Sequence, residues 1–118
     1  MKAFTDIKQS KKLAEFLPLE SADMKYPYFG YGRYGTTAYF GEPIEFSGGK
    51  DISCWSLAAL LELLPEGIIV NHFVPILQKE NSKYSIVYGT GEMLCVADNP
   101  VDVCVEMILK LHELNLLR

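Results

Sequence analysis

A chain of 118 residues that is 49% hydrophobic and 22% charged has enough apolar material for a core without a metal or disulfide framework, which excludes a disordered chain. Its net charge of −4 repels phosphate backbones at long range and makes nucleic acid an unfavoured partner. Cys54, Cys95 and Cys104 are odd in number and form no CxxC pair, which fits reduced thiols in a cytoplasmic protein.

The first residues, MKAFTDIKQSKK, contain no apolar stretch of the signal-peptide kind, so no signal peptide is expected. No apolar run approaches the roughly 18 residues needed to cross a bilayer, and Leu57–Leu64 ends at Pro65. Lys2, Lys8, Lys11 and Lys12 read as the solvated face of a first helix. That helix is predicted from about Asp6 to Leu17, capped by Thr5 or Asp6 and stopped by Pro18. Ile7, Leu13, Ala14 and Leu17 share its apolar face.

Residues Tyr26 to Phe46 are dense in aromatics and glycine, which favours strands and turns. A hairpin is expected there, with its turn near Gly32 to Gly35 and a return strand over Thr36 to Phe40. Ser47-Gly48-Gly49-Lys50 reads as a loop. A second helix is predicted over Cys54 to Leu64, with Ser53 as cap and Pro65-Glu66-Gly67 as stop. Trp55, Leu57, Ala58, Ala59, Leu60, Leu61, Leu63 and Leu64 would surround it with apolar side chains, making it the central core helix.

Three strands follow, Ile68 to Gln78, Lys83 to Tyr88 and Glu92 to Ala97. Asn81-Ser82 and Gly89-Thr90-Gly91 are short turns that join them as an antiparallel meander. The third helix opens with Asp98 or Asn99 as cap, Pro100 in the first position and Asp102 against the helix dipole. Asp102, Glu106, Lys110 and Glu113 form its polar stripe. Val101, Cys104, Val105, Ile108 and Leu111 lie opposite, and Val103, Met107 and Leu114 widen the apolar arc towards a second layer or a partner subunit.

Gly30-Tyr31-Gly32-Arg33-Tyr34-Gly35 matches GxGxxG literally, but strand-like residues rather than a helix follow, so a phosphate loop is set aside for a glycine-rich hairpin. Tyr28, Tyr31, Arg33 and Tyr34 are the candidate binding residues of that hairpin. The favoured reading of its aromatics is structural, with half of them packing on the core and the rest at a rim; with an interleaved arginine they also suit a protein interface, or stacking on single-stranded nucleic acid or sugar rings. No catalytic residue is assigned. Cys54, at the predicted start of a helix, would need His72 or His112 to become a nucleophile; a buried inert thiol is the favoured reading. His112 is expected near the middle of the third helix's apolar face, and His72 in strand register with Val70 and Val74. The scattered Cys and His residues lack the paired spacing of a zinc site, and no cofactor is implied. The acidic pairs Glu42/Glu45 and Glu62/Glu66 read as solvated surface rather than a catalytic dyad.

The strings Cys54-Trp55-Ser56-Leu57-Ala58-Ala59-Leu60-Leu61 and Ala97-Asp98-Asn99-Pro100-Val101-Asp102-Val103-Cys104-Val105-Glu106-Met107-Ile108 resemble small proteins of gut anaerobes from prophage or mobile-element regions, a group with no assigned function. Lys11-Lys12-Leu13-Ala14, Leu17-Pro18 and Ala22-Asp23-Met24 add to the likeness. It implies an accessory or interaction protein of a mobile element and carries no catalytic residue with it.

The expectation is thus one α+β domain over residues 1–118. An antiparallel sheet of about five strands, the hairpin plus the meander, packs with two to three helices. The expected role is a non-enzymatic protein-interaction or regulatory accessory protein, with a protein partner or a second copy of itself and no membrane. A small Cys/His enzyme and a single-stranded nucleic-acid binder are the alternatives.

Overall fold

The computed structural model describes residues 1–66, 74–89 and 93–117. The fold is α+β, and the chain divides into two compact units: Ala3–Ala59, and Leu60–Arg118 together with Met1–Lys2.

In the first unit, α1 (Ile7–Ala14) starts at Asp6, whose carboxylate accepts from Gln9 N at 2.8 Å while Gln9 Oε1 accepts from Asp6 N at 3.1 Å. This reciprocal cap satisfies two backbone donors at the helix start. The helix is shorter than expected, and Ala14 is exposed rather than facing the core. Leu13 and Leu17 carry the burial, Leu17 from the turn that follows. A 3-10 turn at Leu19–Ser21 then leads into seven short strands.

β1 (Met24–Tyr26) is the middle of a three-stranded antiparallel sheet between β4 (Tyr39–Phe40) and β7 (Ile52–Cys54). Among the described residues β2 (Tyr28–Gly30) pairs only with β3 (Arg33–Tyr34), and β5 (Glu45–Phe46) only with β6 (Gly49–Lys50). The expected hairpin exists but turns earlier: its return strand is Arg33–Tyr34, while Tyr39–Phe40 joins β1 instead. The single five-stranded sheet does not form. Pro27, Gly30, Gly32, Gly35, Gly41, Pro43 and Gly48 interrupt the segment every few residues, so its pairing breaks into two- and three-residue ladders.

The second helix is also corrected. α2 covers only Leu57–Leu63, and Cys54 stands on β7. Ser56 is the cap, its Oγ accepting from Ala59 N at 3.2 Å. Ala58, Leu61 and Glu62 are exposed, so α2 is not the central core helix. The buried run lies just before it, from Asp51 to Ser56. Pairing with β1 there places Ile52 and Cys54 in a core with Met24, Tyr26 and Ala38. Pairing with β1 and burial of this stretch outweigh helix propensity here.

In the second unit, β8 (Pro75–Glu80), β9 (Lys83–Tyr88) and β10 (Met93–Ala97) form the expected meander with β9 in the middle. Asn81 and Ser82 both take left-handed backbone angles, φ 51° and 63°, as a two-residue hairpin turn requires. Of the strand predicted from Ile68, residues 68–73 lie outside the described residues, as do Thr90 to Glu92; β8 runs on to Glu80.

α3 (Pro100–Glu113) is the long helix. Asn99 caps it, accepting from Asp102 N at 2.8 Å, with Pro100 at its start. It packs on β9 and β10, where Ile86, Tyr88 and Met93 are buried beneath it. Val103 and Met107, which widen its apolar arc, are buried within this chain, so that breadth no longer argues for a second copy. Leu114, past the last turn, is exposed. Among the described residues no helix is long and apolar enough to cross a membrane.

Candidate functional site

The site starts from Tyr28, at the head of the β2–β3 hairpin. Its N–H donates to a buried carboxylate oxygen of Asp51 at 2.8 Å. The second Asp51 oxygen accepts from Ile44 N at 3.0 Å, with Lys25 Nζ at 3.7 Å. One carboxylate thus ties β1, β2 and the strand before α2 together, and charge-assisted bonds of this kind are the strong ones. The Tyr28 hydroxyl donates to Gly48 O at 3.1 Å and accepts from Gly32 N at 3.3 Å. Its ring lies against Gly49, where a β-carbon would collide with it.

Tyr34 packs on Tyr28 with ring centroids 5.2 Å apart. Lys11 Nζ reaches from the last turn of α1 to 5.8 Å from the Tyr34 ring centroid, within cation–π range. Tyr28 and Tyr34 are therefore half-buried braces. The residues they hold out are Tyr31, 96% exposed, Phe29, 66% exposed, and Arg33, also exposed. Tyr31 sits between Gly30 and Gly32 with φ 94°, 53° and 72° along the three residues. The glycines adopt such angles freely; the tyrosine does not. Of the four residues expected to bind, two present themselves to solvent and two support them. Phe29, beside Gly30 in the same aromatic run, is exposed alongside the projecting pair although the sequence reading did not single it out.

The thiol candidates have a different setting. Cys54 is fully buried, 3.5 Å from Thr5 Oγ1, and its thiol donates to Thr5 O at 3.4 Å. Thr5 Oγ1 also lies 2.7 Å from Ser10 Oγ and accepts from Trp55 N at 3.1 Å. Burial pushes the Cys54 thiol up, against the smaller opposing effect of the Thr5 and Ser10 bonds. Cys54 stands on β7 rather than in the first turn of a helix, so the helix-start setting weighed as the alternative to a buried inert thiol is not present. Burial raises Tyr26 to about 12, with the neighbouring Cys54 next in weight, and its hydroxyl donates to Thr5 O at 2.7 Å. His112 stands on the last turn of α3 but is exposed, not mid-face in the core; a helix turn advances about 100° per residue, and its position one past Leu111 carries it outward. His72 lies outside the described residues. Among the described residues no group of three His, Cys, Asp or Glu is placed to hold a metal ion.

No protein-family model matches this chain, and searches of curated proteins and of solved structures find no significant match.

Proposed function

We propose that this chain is a non-enzymatic accessory protein that engages a protein partner through the tip of the β2–β3 hairpin, with Tyr31 as anchor and Phe29 and Arg33 beside it. The carrying observation is Tyr31, a nearly fully exposed aromatic held at positive φ on a braced turn. Such a backbone costs about 1–3 kcal/mol and persists where the surroundings over-determine it, which is common at binding sites. An anchor already fixed in position loses little freedom on binding. Arg33, two residues on from Tyr31, and Lys11, over the neighbouring Tyr34 ring, bring positive charge to the hairpin of an otherwise acidic chain, which suits a partner pocket with an acidic rim. The likeness to mobile-element proteins supports the accessory role, and a cytoplasmic setting belongs to the same reading.

A photo-crosslinking amino acid at position 31, expressed in the native host, tests this against the same group at Ser82. One discrete protein adduct specific to position 31 is the expected result, and a dimer-sized adduct of the chain itself would make the partner a second copy. Absence of any position-specific adduct overturns the proposal. The same aromatics with Arg33 and Lys11 favour a second reading, stacking on single-stranded nucleic acid. That reading requires oligonucleotide binding that weakens steeply with salt.

A further inference from the structure

The meander β10-β9-β8 ends on β8 at one side, and among the described residues no strand pairs with its outer edge. α3 packs on β9 and β10, so β8 stands beyond the helix, and every residue from Ile76 to Glu80 is exposed. Leu77 marks that boundary. It pairs with Ile86, which is fully buried, yet is itself 37% exposed on the same face. Lysines and prolines commonly guard such an edge. In β8 the Lys79 ammonium is drawn back to 5.5 Å from the Tyr84 ring centroid on the neighbouring strand, and Pro75 stands only at the first position. The stretch between them is an open strand edge.

The turn fixes which backbone groups are free. Asn81 and Ser82, both left-handed, make a two-residue turn closed by the Glu80–Lys83 pair, and a closing pair of this kind exchanges both of its hydrogen bonds. Bonded and non-bonded pairs alternate from there, so Ile76, Gln78 and Glu80 turn their backbone groups towards β9. Pro75, Leu77 and Lys79 turn theirs outward. Proline has no N–H to leave unpaired on that side. The free edge is therefore the Pro75 carbonyl together with the N–H and C=O of Leu77 and of Lys79. An extended chain is the ligand that meets donors and acceptors at this spacing.

We infer that the β8 edge pairs antiparallel with β8 of a second copy, across a two-fold axis at Leu77, joining the two three-stranded sheets into one. The register selects this occupant. An axis at Lys79 sets like charges directly opposite each other and runs into the Asn81-Ser82 turn. An axis at Pro75 has no N–H to share. At Leu77 the two copies exchange N–H and C=O on the axis, and each Lys79 N–H meets the Pro75 carbonyl opposite. The edge is thus complementary to itself, as a two-fold interface requires. The axis keeps the faces of the sheet, so the Leu77 side chains meet on the helix-bearing face and Ile76 stands opposite Gln78 of the second copy on the other. Pairing over this length removes on the order of 1,000 Å² from water in total, the lower end for a specific interface. A dissociation constant of roughly 10–100 µM is expected. The inference is independent of the hairpin reading.

The test follows the unmodified full chain by analytical ultracentrifugation and amide hydrogen exchange from about 20 µM to about 1 mM. Monomer should give way to dimer. By mass action, exchange at the Leu77 and Lys79 amides should slow about fourfold or more over that range, while Gln78 and Glu80, already bonded to β9, keep their rates. In an equal mixture of ¹³C-labelled and unlabelled protein, an Hα–Hα NOE should join Ile76 of one copy to Gln78 of the other. Within one strand those protons are about 7 Å apart, too far for that signal. Leu77→Lys, at a position already exposed, sets like charges across the axis and should weaken the dimer at least about tenfold with the circular dichroism spectrum unchanged. Tyr31→Ala leaves the dimer as it was, which separates this edge from the hairpin. A chain that stays monomeric throughout the range overturns the inference. So does a dimer in which Leu77 and Lys79 exchange as fast as in the monomer, or one that Leu77→Lys leaves equally tight.

Discussion

The two compact units use similar residues in opposite ways. In Leu60–Arg118, Tyr88 is fully buried, its hydroxyl donates to Pro65 O at 2.8 Å, and eight of the fourteen α3 residues lie in the core. In Ala3–Ala59, the strands are two or three residues long and Phe29, Tyr31, Tyr39, Phe40 and Phe46 are exposed. The first arrangement rests on area removed from water, which is non-directional. The second rests more on a few polar side chains that each bond backbone from distant segments. Asp51 holds Tyr28 and Ile44, Asp23 takes the Ser56 N–H at 2.9 Å and its hydroxyl at 2.5 Å, and Thr5 meets Trp55, Cys54 and Ser10. One unit should therefore respond most to lost volume and the other to lost hydrogen bonds.

The largest effect is expected from Ile108→Ala, at a fully buried α3 position. It should cost about 2–5 kcal/mol in urea unfolding followed at 222 nm, whereas Leu61→Ala on exposed α2 should cost well under half of that. Equal costs would erase the contrast between a buried and a superficial helix. Asp51→Ala comes next. Stranding the Tyr28 and Ile44 N–H groups should cost about 1–3 kcal/mol. Hydrogen exchange should speed up at those two amides while the β9 amides stay protected. Uniform acceleration across both units would show that Asp51 is no local hub.

Tyr28→Phe removes only the hydroxyl that bridges Gly32 N and Gly48 O. The expected loss is about 0.5–1.5 kcal/mol, with increased backbone motion confined to residues 30–33 in NMR relaxation. An unchanged tip would mean that ring packing alone braces the hairpin.

The smallest effect near neutrality is that of pH. Burial raises Cys104 from 9.0 to about 12 and Tyr26 from 10.0 to about 12, and it moves Cys54, Cys95 and Tyr88 upward as well. Each group holds its proton more tightly folded than unfolded. Their contribution is thus complete below about pH 9 and is lost as pH rises from there towards 12. Chemical denaturation across that window should show stability flat and then falling. A rise above pH 9 would contradict the burial of these groups.

Legibility followed the same division. α3 could be read almost residue by residue, because Asn99, Pro100 and a 3.6-residue apolar repeat all act within one helix. The Asn81-Ser82 turn was likewise local. The misreadings cluster where a segment's partner is far along the chain. Leu57–Leu64 and its neighbours look like a fully apolar helix from Cys54 onward, yet β1, about thirty residues earlier, claims Ile52–Cys54 as a strand. His112 was misplaced by one helical position, enough to turn it from core to solvent. In the hairpin, the aromatic and glycine content announced a turn, but which tyrosines would brace and which would project depended on Gly48, Gly49 and Asp51.

Composition, caps and periodicity by themselves determined that this is an α+β chain with a meander, a strongly capped last helix, three thiols without a disulfide pattern and an aromatic hairpin. These are properties of neighbouring residues, set by backbone geometry and by burial of one face. The tertiary structure alone decided that Tyr39–Phe40 pairs with β1, that Cys54 is a strand residue hydrogen-bonded to Thr5 across 49 positions, and that Asp51 gathers three segments. The reason is physical. A loop's length and composition permit many registers, and only simultaneous satisfaction of buried donors and acceptors from separate parts of the chain selects one.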